Sequence, residues 1–472
     1  MKLVDVSPEA NRRALIRLAK ALGLLVLLLV LTGAVLTFMG GRQYEAELRK
    51  LKAAGEPYTL VDLAGPPVPD SENGAIIYEK IFRRLLGHGS LDVDAQGSPQ
   101  HARDQRERYK VYDQLFDSEG SVTPEAELTQ VDWAEARRVA AKYDWVLPLA
   151  EEATARPKCK FPVRWEDGSY ALLPHLAVLR DLQHVLAVKA AVYAHDGLTV
   201  NAVRCVDLAL RMTSAVETEP TIIAMLVRVS QINVACRGLR MVTREAALNP
   251  EQARAIYDVL ASIDLNPHAI LGIKGERGFG LLLFAQMRRQ GITRNLCLLT
   301  SGSGDPRPEA WLLDGLWRAI SYYDGAAYLR FMGKQVDNAG VPYRELDIDR
   351  QNYETSIMPK YWAFTRAIAP VFDRVRATRD KGMANAAIGQ AAMALAAYKA
   401  RFGSYPAVLA NASNRLGWRI PDDPFSGKSL IYKRQGTGYL LYSIGSNLRD
   451  DGGAPRTKND ETVGDLVWKL VK

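Results

Sequence analysis

Apolar and polar residues follow three different patterns along this chain. Residues 21–41 form an apolar run without a single charged residue. From about residue 124 to 295, apolar residues recur at helical spacing. About the last hundred residues combine one helical stripe with three short runs of β-type residues. The pattern predicts a mainly α-helical chain with a small α+β region at its C-terminal end.

The apolar run is long enough to cross a lipid bilayer. Twenty-one residues at 1.5 Å per residue span about 31 Å, close to the hydrocarbon thickness of about 30 Å. The first twenty residues contain five Lys or Arg, whereas residues 42–56 contain four together with three glutamates. The positive-inside rule then predicts a cytoplasmic N-terminus. We expect a single-pass protein of the bacterial inner membrane, with the bulk after Gly41 outside the cytoplasm.

A cleaved signal peptide is the alternative interpretation of this run. The apolar part of a signal peptide is normally 7–15 residues and ends in a small-x-small cleavage site. Thr37-Phe38-Met39 offers no such site. A retained anchor in the lipid bilayer is therefore favoured.

The remaining chain divides by composition and by turn signals. Breaks between helical segments predict an irregular array of helical hairpins without a fixed repeat. These breaks are Pro174, Asp196-Gly197, Pro220, Asn249-Pro250 and Asn266-Pro267. The predicted segments are a basic tail (1–20), a transmembrane helix (21–41), a stalk and linker with short helices (42–123), an extracytoplasmic α-helical domain (124–370) and an α+β module (371–472).

The α+β module is predicted from a long helix followed by a small sheet. One stripe runs along a helix over about 371–402, and its residues are Ala384, Ile388, Ala391, Leu395, Tyr398 and Phe402. The runs SLIYKR, GYLLYSIG and ETVGDLVWKL follow, and a glycine-containing turn at 434–438 joins the first two. The economical arrangement is one helix packed on a small antiparallel sheet.

These residues resemble a known family. The segments AAMALAAYKARFGSYP, DDPFSGKSLIYK, GYLLYSIGSNLRDDGG and a final DLVW are similar to the C-terminal domain of the major pseudopilin of type II secretion, over about the last ninety residues. The resemblance implies calcium bound by aspartates of the last loop, where Asp450 and Asp451 fall, with Asn447 before it and Asp465 on the following strand. From the residues alone, a solvated Asp-Asp-Gly-Gly turn is the alternative.

The apolar run of this chain differs from the apolar helix of a pseudopilin. A pseudopilin has an apolar helix that bears a glutamate and continues directly into its packed helix, whereas the apolar run here is uncharged and lies far upstream. We therefore expect a module added to another protein, without polymerisation through that helix. The rest of the chain resembles membrane-anchored bacterial proteins without an assigned activity.

Charge and cysteine spacing argue against several chemistries. The 61 basic and 53 acidic residues give a net charge of +8 and are interspersed, so no nucleic-acid partner is expected. Gly427-Lys428-Ser429 resembles the end of a phosphate-binding loop, but that motif needs a glycine five residues before Gly427, where Asp422 stands. No nucleotide partner is therefore expected.

The cysteines form no CxxC pair, which leaves either disulfides or buried free thiols. The cysteines are Cys159, Cys205, Cys236 and Cys297.

Catalytic residues are not evident from the sequence. Ser301 and Ser303 lie in a glycine-rich loop rather than in a nucleophile elbow, and the six histidines form no HExxH pair. Glu166-Asp167 beside Trp165 is the first place to examine for an acid pair, although a turn role is favoured.

We expect a non-enzymatic scaffold or protein-interaction protein, associated with a secretion or pilus-like system, whose envelope partner the sequence does not name. The alternative is an extracytoplasmic hydrolase with an acid pair assembled from separate helices.

Overall fold

The structure is a computed structural model that describes residues 8–87, 98–116, 131–291, 310–347, 356–369, 371–455 and 464–470. These residues are mainly helical and include one small antiparallel sheet near the C-terminal end. The helices are α1 (Pro8–Ala53), α2 (Leu60–Ala64), α3 (Ala75–Leu86), α4 (Pro99–Leu115), α5 (Trp133–Ala141), α6 (Val146–Thr154), α7 (Pro174–His195), α8 (Thr199–Arg211), α9 (Ile222–Glu245), α10 (Pro250–Ala261), α11 (Asn266–Gln290), α12 (Ala310–Asp337), α13 (Ala363–Ile368), α14 (Val371–Phe402) and α15 (Leu409–Leu416). The strands are β1 (Ile431–Gln435), β2 (Gly438–Ser443) and β3 (Leu466–Leu470).

The chain forms two compact units. The first unit consists of Met1–Tyr58, Arg277–Lys334 and Tyr353–Ala369. The second consists of Thr59–Glu276, Gln335–Asn352 and Pro370–Lys472. The second unit thus takes residues from the predicted stalk, the predicted helical domain and the predicted C-terminal module, and these three segments do not separate into units of their own.

Helix boundaries in the second unit follow the breaks in the sequence. Pro174 occupies the first turn of α7, where its missing N–H has no helical partner to lose. Asn249 and Gln252 form a capping box at the start of α10. Asp196 ends α7, and Gly197 after it adopts a left-handed φ of +73°. Local capping chemistry therefore explains why these helices begin and end where the sequence predicts.

Helix α14 occupies the centre of the second unit. The predicted helix over 371–402 is confirmed, but its residues from Ala384 to Leu395 are buried on every side. It packs mainly against α9 and α10 and less extensively against β2 and β3. A Cβ at Gly389 would lie 2.9 Å from Leu260 Cδ1, so the helices approach closely there. The predicted stripe is buried from Ala384 to Tyr398, with Phe402 exposed at the end of the helix, and the residues between the stripe positions are buried as well.

The C-terminal sheet has the predicted antiparallel arrangement. The strands pair in the order β1-β2-β3, and Gln435 lies opposite Gly438 across a two-residue turn. The central strand β2 is buried along its whole length. Arg240 of α9 lies 5.3 Å from the ring centre of the buried Trp468 on β3. The sheet therefore packs against the helices that form the core of the second unit.

Candidate functional site

The four predicted calcium residues lie together between β2 and β3, where their side chains hold the loop itself. Asn447 donates its side-chain amide to Asp451 Oδ2 over 2.7 Å. Asp450 Oδ1 accepts hydrogen bonds from the Tyr442 hydroxyl and the Gly452 amide, both at 2.9 Å. The hydrogen bond from Gly452, and after it the one from Tyr442, lowers the pKa of Asp450. On this side of the loop, the carboxylates of Asp450 and Asp451 therefore accept hydrogen bonds from other groups of the protein.

Asp465 binds the other side of the same loop through backbone hydrogen bonds. Its carboxylate accepts the backbone amides of Gly453 at 2.7 Å and Asp451 at 3.4 Å. The Gly464 amide in turn donates to Asp451 Oδ2 over 2.9 Å. Burial raises the pKa of Asp465, and the nearby charges of Asp451 and Asp450 add to the effect, while the two amides oppose it.

The hydrogen bonds described above give these four residues a structural role in the loop. Calcium takes six to eight oxygen ligands. Among the residues that the structure describes, no group of three or more His, Cys, Asp or Glu is placed to hold a metal ion. The calcium site implied by the resemblance stays a prediction, and the observed arrangement is a hydrogen-bonded turn.

The segment around Glu166 and Asp167 forms a short 3-10 helix, Trp165–Tyr170. Trp165 is buried, whereas Glu166 is exposed. Asp167 pairs with the exposed Arg164 at 3.3 Å. The two adjacent carboxylates therefore occupy a solvated turn, and they are not aimed at a common target.

A buried histidine-glutamate group was not predicted from the sequence. His175 Nε2 lies 2.7 Å from Glu219 Oε1, and His268 Nε2 lies 3.1 Å from the Glu219 backbone oxygen. The Phe161 ring stacks on His175 with centres 4.4 Å apart. Burial, assisted by the charge of Arg228, lowers the pKa of His268 to about 3. His268 is therefore neutral at physiological pH and donates its Nε2 proton to the Glu219 carbonyl.

A second buried polar group centres on Asp181 of α7. Its carboxylate accepts hydrogen bonds from Gln105 at 2.6 Å and from Tyr109 at 3.1 Å. Arg108 pairs with it at 3.1 Å, and both charged side chains are almost fully buried. A buried charge without a partner is costly, so this pair fixes α4 against α7. The pair links positions more than seventy residues apart, and no local sequence signal identifies it.

His184 lies one helical turn from Asp181, packed between tyrosine rings. Its ring centre is 4.9 Å from that of Tyr109 and 4.3 Å from that of Tyr112. Burial, with the charge of Arg108 acting in the same direction, lowers the pKa of His184 to about 4. The side chain is therefore a neutral part of the core at physiological pH.

A cavity of about 350 Å³ in the second unit lies beside Cys159. Burial, and after it the charges of Glu219 and Glu217, raises the pKa of the Cys159 thiol, so the thiolate needed for nucleophilic attack is disfavoured. Lys160 on the cavity wall donates to the backbone oxygens of Ala64, Gly65 and Pro66. The lining of this cavity includes one carboxylate and no histidine, which does not match an acid pair or a nucleophile-base pair.

A smaller cavity of about 190 Å³ lies between α9, α14 and the sheet. Lys399 and Tyr405 line it, with the ammonium 4.6 Å from the ring centre. Its lining contains neither a carboxylate nor a histidine. The two cavities therefore bring together no convergent acids of the kind that a hydrolase needs.

The other residues considered for chemistry are inert or fall outside the described residues. Cys159, Cys205 and Cys236 are free thiols. Burial raises the pKa of Cys205 and of Cys236 to about 12, which matches the predicted alternative of buried thiols. Cys297, Ser301 and Ser303 lie outside the described residues.

The N-terminal helix carries an extended exposed apolar surface. Large apolar side chains from Leu15 to Met39 are 41–69% exposed, on all sides of α1. This helix is long and apolar enough to cross a membrane, as is α9, by length and composition. The apolar window of α1 is 0% buried, whereas that of α9 is 67% buried.

No protein-family model, curated protein or solved structure matches the chain. The described residues offer one exposed membrane-length helix and two cavities without convergent acids.

Proposed function

We propose that the protein is a single-pass protein of the bacterial inner membrane whose helical body lies outside the cytoplasm and binds other envelope proteins. The observation that carries this proposal is the exposed apolar part of α1, which continues without a break into the packed part of the first unit. Transfer of a Leu or Val side chain from water to hydrocarbon gains about 1.5–3 kcal/mol. A row of such side chains on every face of a helix therefore favours the bilayer.

The C-terminal end of α1 belongs to the body of the first unit. Tyr44 packs in a core cluster with Leu281, Ala326 and Leu329. Farther along, Glu56 pairs with the buried Arg277 at 2.6 Å. These contacts support a helix that connects the bilayer directly to a folded body.

The unbroken helix supports a retained anchor over a cleaved leader. Thr37-Phe38-Met39 lies inside α1, and its residues offer no small-x-small cleavage site. Thr37 also donates its hydroxyl to the Gly33 carbonyl at 2.8 Å, as helical Thr commonly does. The cytoplasmic position of the N-terminus is inferred from the five basic residues before the apolar run.

The two cavities described above give no support to the hydrolase alternative. Neither cavity described above holds two carboxylates or a histidine, and the thiol beside the larger one has a raised pKa. The proposal also includes association with a secretion or pilus-like system, which is based on the resemblance of about the last ninety residues to the major pseudopilin.

Protease treatment of spheroplasts tests the anchor and its orientation. We expect externally added protease to digest the body and leave a protected N-terminal fragment that includes residues 21–41. Mass spectrometry of the untreated protein should show a chain that retains these residues. A mature chain that starts after residue 41, or a body protected from external protease, would contradict the proposal.

Crosslinking in native membranes tests the interaction role. A photocrosslinker at Val200, which is 70% exposed on α8, should capture another envelope protein in a specific band. The same crosslinker at the fully buried Ile232 is the control, since it has no access to a partner. Absence of any pilin or secretion component among the captured proteins would remove the association with that machinery.

A further inference from the structure

The smaller cavity of the second unit, with a volume of about 190 Å³, lies where α14 and the end of α9 approach the sheet. In its lining, Leu248 and Leu470 are buried. Ala247, Ala400 and Gly403 of the same lining are exposed. The cavity therefore extends from the protein surface toward the core.

Two buried tyrosines line this cavity. Tyr405 is 7% exposed and Tyr439 is 1% exposed, and their rings meet edge to face with centres 4.9 Å apart. Neither hydroxyl has a hydrogen-bond partner among the described residues, and neither is one of their fully enclosed unpaired atoms. A buried hydroxyl without a partner is unfavourable. The two hydroxyls therefore reach the space of the cavity, where a ligand can accept their hydrogen bonds.

The surroundings of these tyrosines keep both hydroxyls protonated. Burial raises the pKa of Tyr405 to about 12 and raises that of Tyr439 well above its ordinary value. A protonated phenol donates a hydrogen bond, and such a bond is strongest when the acceptor is charged. Two donors of this kind favour an anionic ligand.

Lys399 adds a positive charge at the same cavity. Its ammonium lies 4.6 Å from the ring centre of Tyr405, and no carboxylate of the described residues pairs with it. The larger cavity differs in this respect, since Lys158 in its lining pairs with Glu72 over 2.9 Å. An ammonium without a carboxylate partner, in a lining that contains no acidic residue, attracts an anion.

The size and the walls of the cavity limit the kind of anion. An engineered protein cavity of about 150 Å³ binds benzene, so a cavity of about 190 Å³ accepts a ligand of about six non-hydrogen atoms. Much of the wall is apolar and is formed by Ala246, Ala247, Ala396, Ala400 and Leu248. One lysine balances one negative charge. These properties match a monocarboxylate with a short aliphatic chain.

We propose that this cavity binds a small aliphatic monocarboxylate, whose carboxylate pairs with Lys399 and accepts hydrogen bonds from Tyr405 and Tyr439 while its apolar chain packs against the alanines. The proposal does not depend on the membrane anchor or on calcium. A ligand at this position contacts both α14 and the sheet, so its binding stabilises the second unit.

Ligand-detected NMR titration of the full chain in phosphatidylcholine nanodiscs tests the site, with butanoate as the probe and protein-free nanodiscs as the reference. Butanamide has the same shape without the charge, and acetate lacks two methylene groups. Lys399→Met, Tyr405→Phe and Tyr439→Phe each remove one polar group of the site. Lys428→Met and Tyr432→Phe are the matched controls, because neither residue lines the cavity, Lys428 is exposed, and the Tyr432 hydroxyl has a backbone partner at 2.8 Å.

We expect butanoate to bind in the millimolar range, acetate to bind about tenfold more weakly, and butanamide to show no measurable binding. Each of the three site variants should weaken butanoate binding by about tenfold, and the two controls should leave it unchanged.

Four results would overturn the site: no binding of butanoate to the native chain, equal binding of butanamide, unchanged binding in any of the three site variants, or an equal loss in the controls. Tyr→Phe and Lys→Met conserve most of the side-chain volume, and circular dichroism melting of each variant confirms that the second unit is folded.

Discussion

Helices α1 and α9 are both long and apolar enough to cross a membrane, and their environments differ. No part of the apolar window of α1 is buried, whereas two thirds of that of α9 is buried in the second unit. The difference lies in their polar residues: α9 carries Arg228, whose partner is Glu217 at 2.9 Å, and α1 has no charge over residues 21–41. Arg228 thus has a protein partner in the second unit, whereas residues 21–41 of α1 carry no charge that would need one.

The largest expected effect comes from introducing an aspartate into each of the two helices. Ile232→Asp places an unpaired carboxylate at a fully buried position of α9 and should destabilise the second unit by more than about 4 kcal/mol. Leu28→Asp in α1 should leave thermal unfolding of the body unchanged and weaken membrane insertion by about 3–4 kcal/mol. Circular dichroism melting and an insertion assay measure the two effects. Equal loss of body stability in both variants would show that α1 is a core helix.

A pH effect is expected in the unit that contains α9. The pKa of His184 is about 4 in the folded protein and about 6.5 when unfolded, so the unfolded chain binds the proton first as the pH falls. This contribution to stability is complete above about pH 6.5 and falls as the pH approaches 4, with a loss of about 2 kcal/mol at pH 5. Denaturant unfolding at pH 7.5 and 5 measures it. In His184→Gln this part of the pH dependence should vanish, and an unchanged slope would contradict the buried neutral state.

A smaller effect tests how firmly α1 joins the first unit. Gly40→Ala brings a Cβ within 3 Å of the Tyr323 ring and should destabilise the first unit by about 1 kcal/mol. Gly33→Ala on the same helix meets nothing within 4 Å and serves as the control. Hydrogen exchange of α12 reports on the first unit in both variants. Identical exchange would mean that the junction is not packed.

The smallest effect concerns the loop between β2 and β3, on the sheet that packs against α9. The calcium site implied by the resemblance predicts that calcium raises the melting temperature. A site with a dissociation constant near 1 mM would add about 0.4 kcal/mol at 1 mM calcium. Asp451→Asn should remove the effect if the aspartate binds calcium. A melting temperature that does not change up to millimolar calcium would leave the hydrogen-bonded turn as the sole role of this loop.

Local features of the fold were predictable, and contacts between distant segments were not. Caps and turns such as Asn249-Pro250 and the hairpin at Gly438 depend on neighbouring residues, so sequence patterns identify them. The pairing of His175 with Glu219 and of Arg108 with Asp181 joins segments far apart in the chain. The all-round burial of α14 likewise depends on α9 and α10, and one stripe of apolar residues did not indicate it.

Alkaline carbonate extraction of membranes that contain the full-length protein tests the retained anchor most directly. We expect the intact chain, with residues 21–41 present, to stay in the membrane pellet and to be released by detergent. Leu28→Asp should shift part of the chain to the supernatant. Recovery of the intact native chain in the carbonate supernatant would show that α1 is not a membrane anchor.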